Sequence, residues 1–162
     1  MPQRLRSTGS VRALAGLVVL VLVVVGSTSR AAAEPLKCQR AIVKGNAQLL
    51  QATAKALAKC ADAVVKGSLP GPCPDAKATA SIDKATAKLR AAMDKACGGV
   101  DKLCGGNRTD EDSPASLGWP AQCPNLARGD CANAITHCGD IATCLDCTAR
   151  SAAEQTRGLV YD

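Results

Sequence analysis

"LKCQRAIVKGNAQLLQATAKALAKCADAVVKGSLPGPCPDAKATASIDKATAKLRAAMDKAC", residues 36–97, decides the fold. Ile42, Leu49, Leu50, Leu57, Ala61 and Val64 recur at intervals of 3, 4 and 7, and Lys44, Lys55, Lys59 and Lys66 fall largely off that stripe. This is the period of an amphipathic helix with a narrow apolar face. Gly45 weakens the helix locally without breaking it. "GSLPGPCPD", residues 67–75, is dense in Gly and Pro and reads as a turn. Ile82, Ala85, Leu89, Met93 and Ala96 repeat the period over 76–97, with Asp75 at the N-cap position and Gly98-Gly99 at the C-cap.

The cysteines fix how these helices lie. Cys38 and Cys60 are 22 residues apart near the ends of the first helix, and Cys73 and Cys97 are 24 apart at the ends of the second. At 1.5 Å per residue these spans are about 33 and 36 Å. Folded antiparallel about the Pro-rich turn, the helices bring Cys60 to Cys73 and Cys38 to Cys97. Either other pairing of these four would join points some 30 Å apart, whereas bridged Cα atoms lie within about 7 Å. Residues 34–104 are therefore expected to be a helical hairpin with a disulfide at each end. The outer bridge contributes roughly 4 kcal/mol on the chain-entropy model. The abundant Ala lets the two helices approach closely.

The segment before the hairpin is of another kind. Arg4, Arg6 and Arg12 precede "ALAGLVVLVLVVVG", residues 13–26, and then Ala31-Ala32-Ala33. A basic start, a short apolar run and small residues are the layout of a secretory signal peptide, so 1–33 is expected to be removed. The run is shorter than the roughly 20 apolar residues of a spanning helix, so no transmembrane helix is expected after cleavage. No Arg-Arg pair marks a twin-arginine signal. Cys38, behind Glu34-Pro35, is poorly placed for lipid attachment.

All ten Cys follow residue 33. An even count in a short exported chain reads as a disulfide framework in an extracytoplasmic compartment, secreted or periplasmic. With no Phe, one Trp and one Tyr, the core is thin, and cross-links supply what it lacks. The charge of +6 falls to +2 once the four Arg of 1–33 are removed, so nucleic acid is not an expected partner. The balance is uneven: 34–104 carries +6 and 105–162 carries −4, two halves that would attract each other or simply be two solvated faces.

"GGNRTDEDSPASLGWPAQ", residues 105–122, lacks periodicity and reads as a loop or linker. Asn107-Arg108-Thr109 is a glycosylation sequon, relevant only in a eukaryotic host. Asp110-Glu111-Asp112 lacks the alternating ligands and Gly of a calcium loop. Trp119 is expected to cap the small core, a recognition anchor being the other role open to it.

Residues 123–162 read as a small Cys-rich helical segment, packed on or tethered to the hairpin. "DCANAITHC" suggests a short helix capped by Asp130, and "DIATCLDCTARSAAEQTRGLVY" a longer one capped by Asp140. Two such helices nested antiparallel would pair Cys131–Cys147 and Cys138–Cys144, leaving Cys104–Cys123, one choice among the 15 pairings that six cysteines allow.

Cys144-Leu145-Asp146-Cys147 is the one motif with the form of chemistry. A thioredoxin-like centre needs a preceding strand and a βαβ pattern, which are not visible. A covalent haem needs His where Thr148 stands. A zinc site of Cys131, Cys138, Cys144 and Cys147 lacks paired knuckles. Residues three apart on a continuous helix project from adjacent turns, so the two cysteines are expected to bond to different partners. His137 is the single His, without a partner constellation for base catalysis, and no triad or nucleophile-elbow signature occurs.

"KCQRAIVKGNAQLLQATAKALAKC", "GPCPDAKATASIDKATAKLRAAMDKACGG" and "CGDIATCLDC" together resemble an uncharacterised group of secreted bacterial Cys-rich helical proteins. The Cys spacing carries the resemblance over most of the mature chain. It implies no activity and no site residues.

The expected fold is all-α, a disulfide-stapled antiparallel helical hairpin followed by the Cys-rich segment. The expected function is a non-enzymatic structural or binding module with no catalytic residue, metal or cofactor. Its exposed lysines admit an anionic envelope surface or another protein as partner. The alternative is a thiol–disulfide redox protein using Cys144 and Cys147.

Overall fold

The computed structural model describes residues 34–106, 109–124 and 131–161. The expected signal peptide, the cleavage site after Ala33, the sequon at Asn107 and the cap at Asp130 lie outside these residues. Three α-helices form the frame, α1 (Pro35–Val65), α2 (Ala76–Cys97) and α3 (Cys138–Tyr161).

Pro35 opens α1, where its missing N–H costs nothing. The helix unwinds at Gly67, whose φ of +69° suits glycine, as Ser68 and Leu69 donate their amides to the Ala63 carbonyl. The Asp75 carboxylate accepts from the Ala78 amide at 2.8 Å, capping α2 as the sequence suggests. Ile42, Leu49, Leu57, Ile82, Leu89 and Met93 meet along the hairpin seam, each at most 5% exposed. Burying a side chain of this size stabilises by about 1.5–3 kcal/mol. Gly45 is there for close approach: a Cβ on it would lie 2.5 Å from Leu89 Cδ1. Cys38–Cys97 and Cys60–Cys73 bond at the two ends, as the matched spacings require.

α3 completes a three-helix bundle, running parallel to α1 and antiparallel to α2. Arg90, Thr86 and Asp83 on α2 meet Thr143, Asp146 and Arg150 on α3 in reverse order. The Thr86 hydroxyl donates to Asp146 Oδ1 at 2.6 Å, and Arg150 bridges Asp83 and Asp146 at 2.9 Å each. At the far end the Tyr161 hydroxyl donates to Asp62 on α1 at 2.8 Å.

Residues 98–137 link α2 to α3 at the end of the bundle where α1 begins, and their described part forms a cap there. It contains no helix among the described residues. This corrects the reading of "DCANAITHC" as a short helix. Residues around Ala134 are extended and pair antiparallel with Gln122: Cys123 N–H donates to Asn133 O and Ile135 N–H to Ala121 O, both 2.9 Å. The loop 109–124 is likewise packed. Leu117 is buried in the main core, half-buried Trp119 packs against that core, and Asp112 N–H donates to the Cys97 carbonyl.

The cap explains a second correction. The expected Cys131–Cys147 bond forms, but Cys104–Cys123 and Cys138–Cys144 do not; the other two bonds are Cys104–Cys138 and Cys123–Cys144. Without a helix over 131–137, Cys131 and Cys138 share no face. Cys138 begins α3, beside the loop that leaves α2. That loop is pinned by Cys104 N–H donating to Asp94 and Gly105 N–H to Glu111. The extended pair then lies against the next turns of α3 and delivers Cys123 to Cys144 and Cys131 to Cys147.

Candidate functional site

Three cysteines of α3, at 138, 144 and 147, each hold a different non-helical segment. Cys144 and Cys147 share no bond, and no described cysteine is free. Cys144 is 1% exposed. Thiol exchange needs a thiolate within reach of solvent and a partner thiol, and the bonded pairs place neither at this motif.

His137 closes the start of α3. Its Nδ1 accepts from the Gly139 amide at 3.1 Å, and its Nε2 lies 3.3 Å from Asp140 Oδ1. Asp140 Oδ2 reaches back to the Thr136 amide and hydroxyl at 2.8 Å and the His137 amide at 3.2 Å. Asp140 therefore serves inside the first turn rather than at the cap position, in the manner of a capping box. Burial acts to raise the Asp140 carboxyl, but the Thr136 and His137 hydrogen bonds and the nearby imidazole outweigh it and hold it below the ordinary carboxylate range. Both imidazole nitrogens are thus engaged in structure.

Among the described residues one group of potential ligand atoms converges, Cys104, Glu111 and Cys138. The two sulfurs are bonded to each other, and a disulfide is not a thiolate ligand. Asp110 and Asp112 do not join the group. Asp110 accepts from the Val100 amide. Asp112 is 4% exposed, and burial pushes its carboxyl up.

Two open seams of the bundle offer further candidate surfaces. Between α1 and α2, hollows of about 320 and 310 Å³ meet at Ser81. They are floored by small residues such as Ala52, Ala56 and Ala78, and edged by Lys59, Lys77, Lys84 and Lys88. Between α1 and α3, hollows of about 500 and 470 Å³ share Leu50, Ala152 and Thr156. The first is mostly apolar, with Leu57, Val160 and Tyr161 alongside, while the second adds Asn46, Thr148 and Gln155. At 100° per residue the α1 residues of the two seams centre on sides of the helix about 160° apart. One bundle thus presents a basic trough and an apolar groove back to back.

The basic seam follows from the lysine placement visible in the sequence. The apolar groove does not follow from the repeat, because Leu50 and Val64 read as part of the α1 core stripe but are 42% and 36% exposed. The signal that could have found it is the end of α3: Leu159 and Val160 extend an apolar ending on no core-facing period, and are 89% and 69% exposed.

Comparison of the chain with family models, curated proteins and solved structures finds no match in any of the three.

Proposed function

We propose that the chain is a secreted or periplasmic non-enzymatic module that binds through its surface, released from a signal peptide after Ala33. The observation that carries this reading is the commitment of every cysteine to a structural cross-link. Five disulfides point to an oxidising, extracytoplasmic environment. No helix among the described residues is long and apolar enough to cross a membrane. The His137 imidazole and the Asp94, Glu111 and Asp140 carboxylates engage capping and loop amides, which supports recognition over catalysis. The kinship with secreted bacterial Cys-rich proteins belongs to the same proposal.

The rival reading, thiol–disulfide exchange at Cys144 and Cys147, draws no support from two sulfurs bonded to separate partners. Thiol titration of exported, folded protein decides between them. The expected result is no reactive thiol and resistance to a glutathione buffer, with an N-terminus at or near Glu34. Two cysteines reduced ahead of the rest, mapping to 144 and 147, would replace the binding module with the redox protein.

A further inference from the structure

The hairpin carries more positive than negative charge. The helix carboxylates are occupied by partners other than lysine. Asp75 takes the Ala78 amide, Asp94 the Cys104 amide, Asp62 the Tyr161 hydroxyl and Asp83 the Arg150 guanidinium. His137 and Arg150 form ion pairs with Asp83, Asp140 and Asp146, and no lysine takes part in them. In these pairs the basic half and the acidic half do not meet through lysine. Where they do form an ion pair, the signs are reversed, an Arg from the acidic half meeting an Asp from the basic half.

The uncompensated lysines gather along one line. Lys77, Lys84 and Lys88 follow one face of α2 over about 16 Å, and Lys59 faces them from α1. All four are exposed. Between them run the alanine floor, Ser81 and Gln48. The single carboxylate at the trough's edge, Asp75, is held by its cap bond.

We infer that this α1–α2 trough is a binding site for an extended acidic polysaccharide. A linear polyanion matches a row of ammonium groups on both banks of a channel, and releases counterions as each is neutralised. A bilayer is a flat sheet of headgroups and would reach the lysine rims while leaving the floor empty. Neither Trp119 nor Tyr161 lines the trough, so it offers no stacking platform for bases. Serine and glutamine suit hydroxylated sugars. The inference rests on the reading of the chain as an extracytoplasmic binding module, which places it among envelope polymers.

The test uses the oxidised, exported protein with heparin as the probe and phosphatidylglycerol vesicles as the second arm. Heparin binding should weaken about 50-fold between 50 and 200 mM salt if four lysines release counterions. Changing Lys59, Lys77, Lys84 and Lys88 to Gln should remove most of that salt dependence and of the binding. Changing Lys37, Lys44, Lys95 and Lys102 to Gln alters net charge equally but touches neither hollow, and should leave most of both. Equal losses in the two variants, no binding by the unaltered protein, or tighter binding to the vesicles would overturn the inference. Circular dichroism establishes that both variants are folded, and Lys→Arg at the four trough positions should keep the binding. A failure here with an intact thiol count sinks the trough alone. A labile Cys144 and Cys147 would sink the module reading, and the trough's affinity would still be read directly.

Discussion

The shafts of the bundle and its cap are stabilised in different currencies. Along α1 and α2, apolar side chains repeat with the helix and meet in two core clusters, and disulfides mark only the ends. In the cap, the described segments of 98–137 have short extended pairing, a few buried side chains such as Leu117 and Ile135, and three bonds to α3. The shafts would remain recognisable with a bridge removed, because each turn has its own packing. The cap has no such redundancy. Periodic packing distributes stability along the chain, while cross-linking concentrates it at a few atoms.

That contrast is open to direct attack. The largest effect is expected from Cys38→Ala combined with Cys97→Ala, which opens a separation of 59 residues and costs about 4 kcal/mol on the chain-entropy model. Melting should shift down by roughly 10–15 °C, with α1 and α2 still paired through Leu49, Leu89 and Cys60–Cys73. Removing Cys123 and Cys144 together should cost about 3 kcal/mol, yet the damage should be local. Amides near 121–124 and 131–137 should lose exchange protection while those of α1 and α2 keep theirs. Equal acceleration everywhere would abolish the distinction between shaft and cap.

Next comes Leu89→Ala, expected to cost about 3 kcal/mol because Leu89 is 1% exposed and seats against Gly45. A loss below about 1 kcal/mol in chemical denaturation would mean that the cross-links, and not the seam, hold the shafts together.

The smallest effects are pH-dependent and lie within the cap. The Asp140 carboxyl is lowered in the fold, so its contribution is present above the ordinary value of 3.8 and fades as pH falls through the folded value. Asp140→Asn should lower melting at neutral pH by a few degrees, with the gap closing in acid. Asp112 is raised, so its contribution is full below 3.8 and is lost as pH rises through its folded value. Asp112→Asn should therefore gain on the parent protein as pH climbs. Parallel profiles for the two variants would remove the assignment of opposite environments to these carboxylates.

The same division governs what the sequence discloses. In the shafts, local and non-local signals agree. The apolar period sets the faces, Asp75 and the Gly-Pro turn set the limits, and two nearly equal Cys spacings leave one geometrically feasible pairing. In the cap they conflict. Cys131, Ile135 and Cys138 fall at helix-like intervals, but 131–137 is drawn into extended pairing with 121–123, a contact no local pattern records. Once that helix is absent, the expected Cys138–Cys144 bond goes with it, while Cys131–Cys147 forms from the extended segment. Partner choice passes to backbone bonds such as those of Asp94 and Glu111 to residues 104 and 105. The two seams divide similarly. Lysine positions announce the basic trough, whereas the apolar groove depends on where α3 lies, and that left Leu50 looking like core.

The order of the bridges has a mechanical consequence. A pull applied at Glu34 and Tyr161 enters α1 and, at Cys38, crosses directly to Cys97. It then runs down the short step to Cys104 and crosses directly to Cys138. Both hairpin shafts beyond Cys38 and the whole loop from 105 to 137 lie off the path of force. Only the first turn of α1, that short step and α3 remain to be drawn out. Tethered at these two residues, the molecule would lengthen mainly through α3, and the trough between α1 and α2 would keep its shape under load.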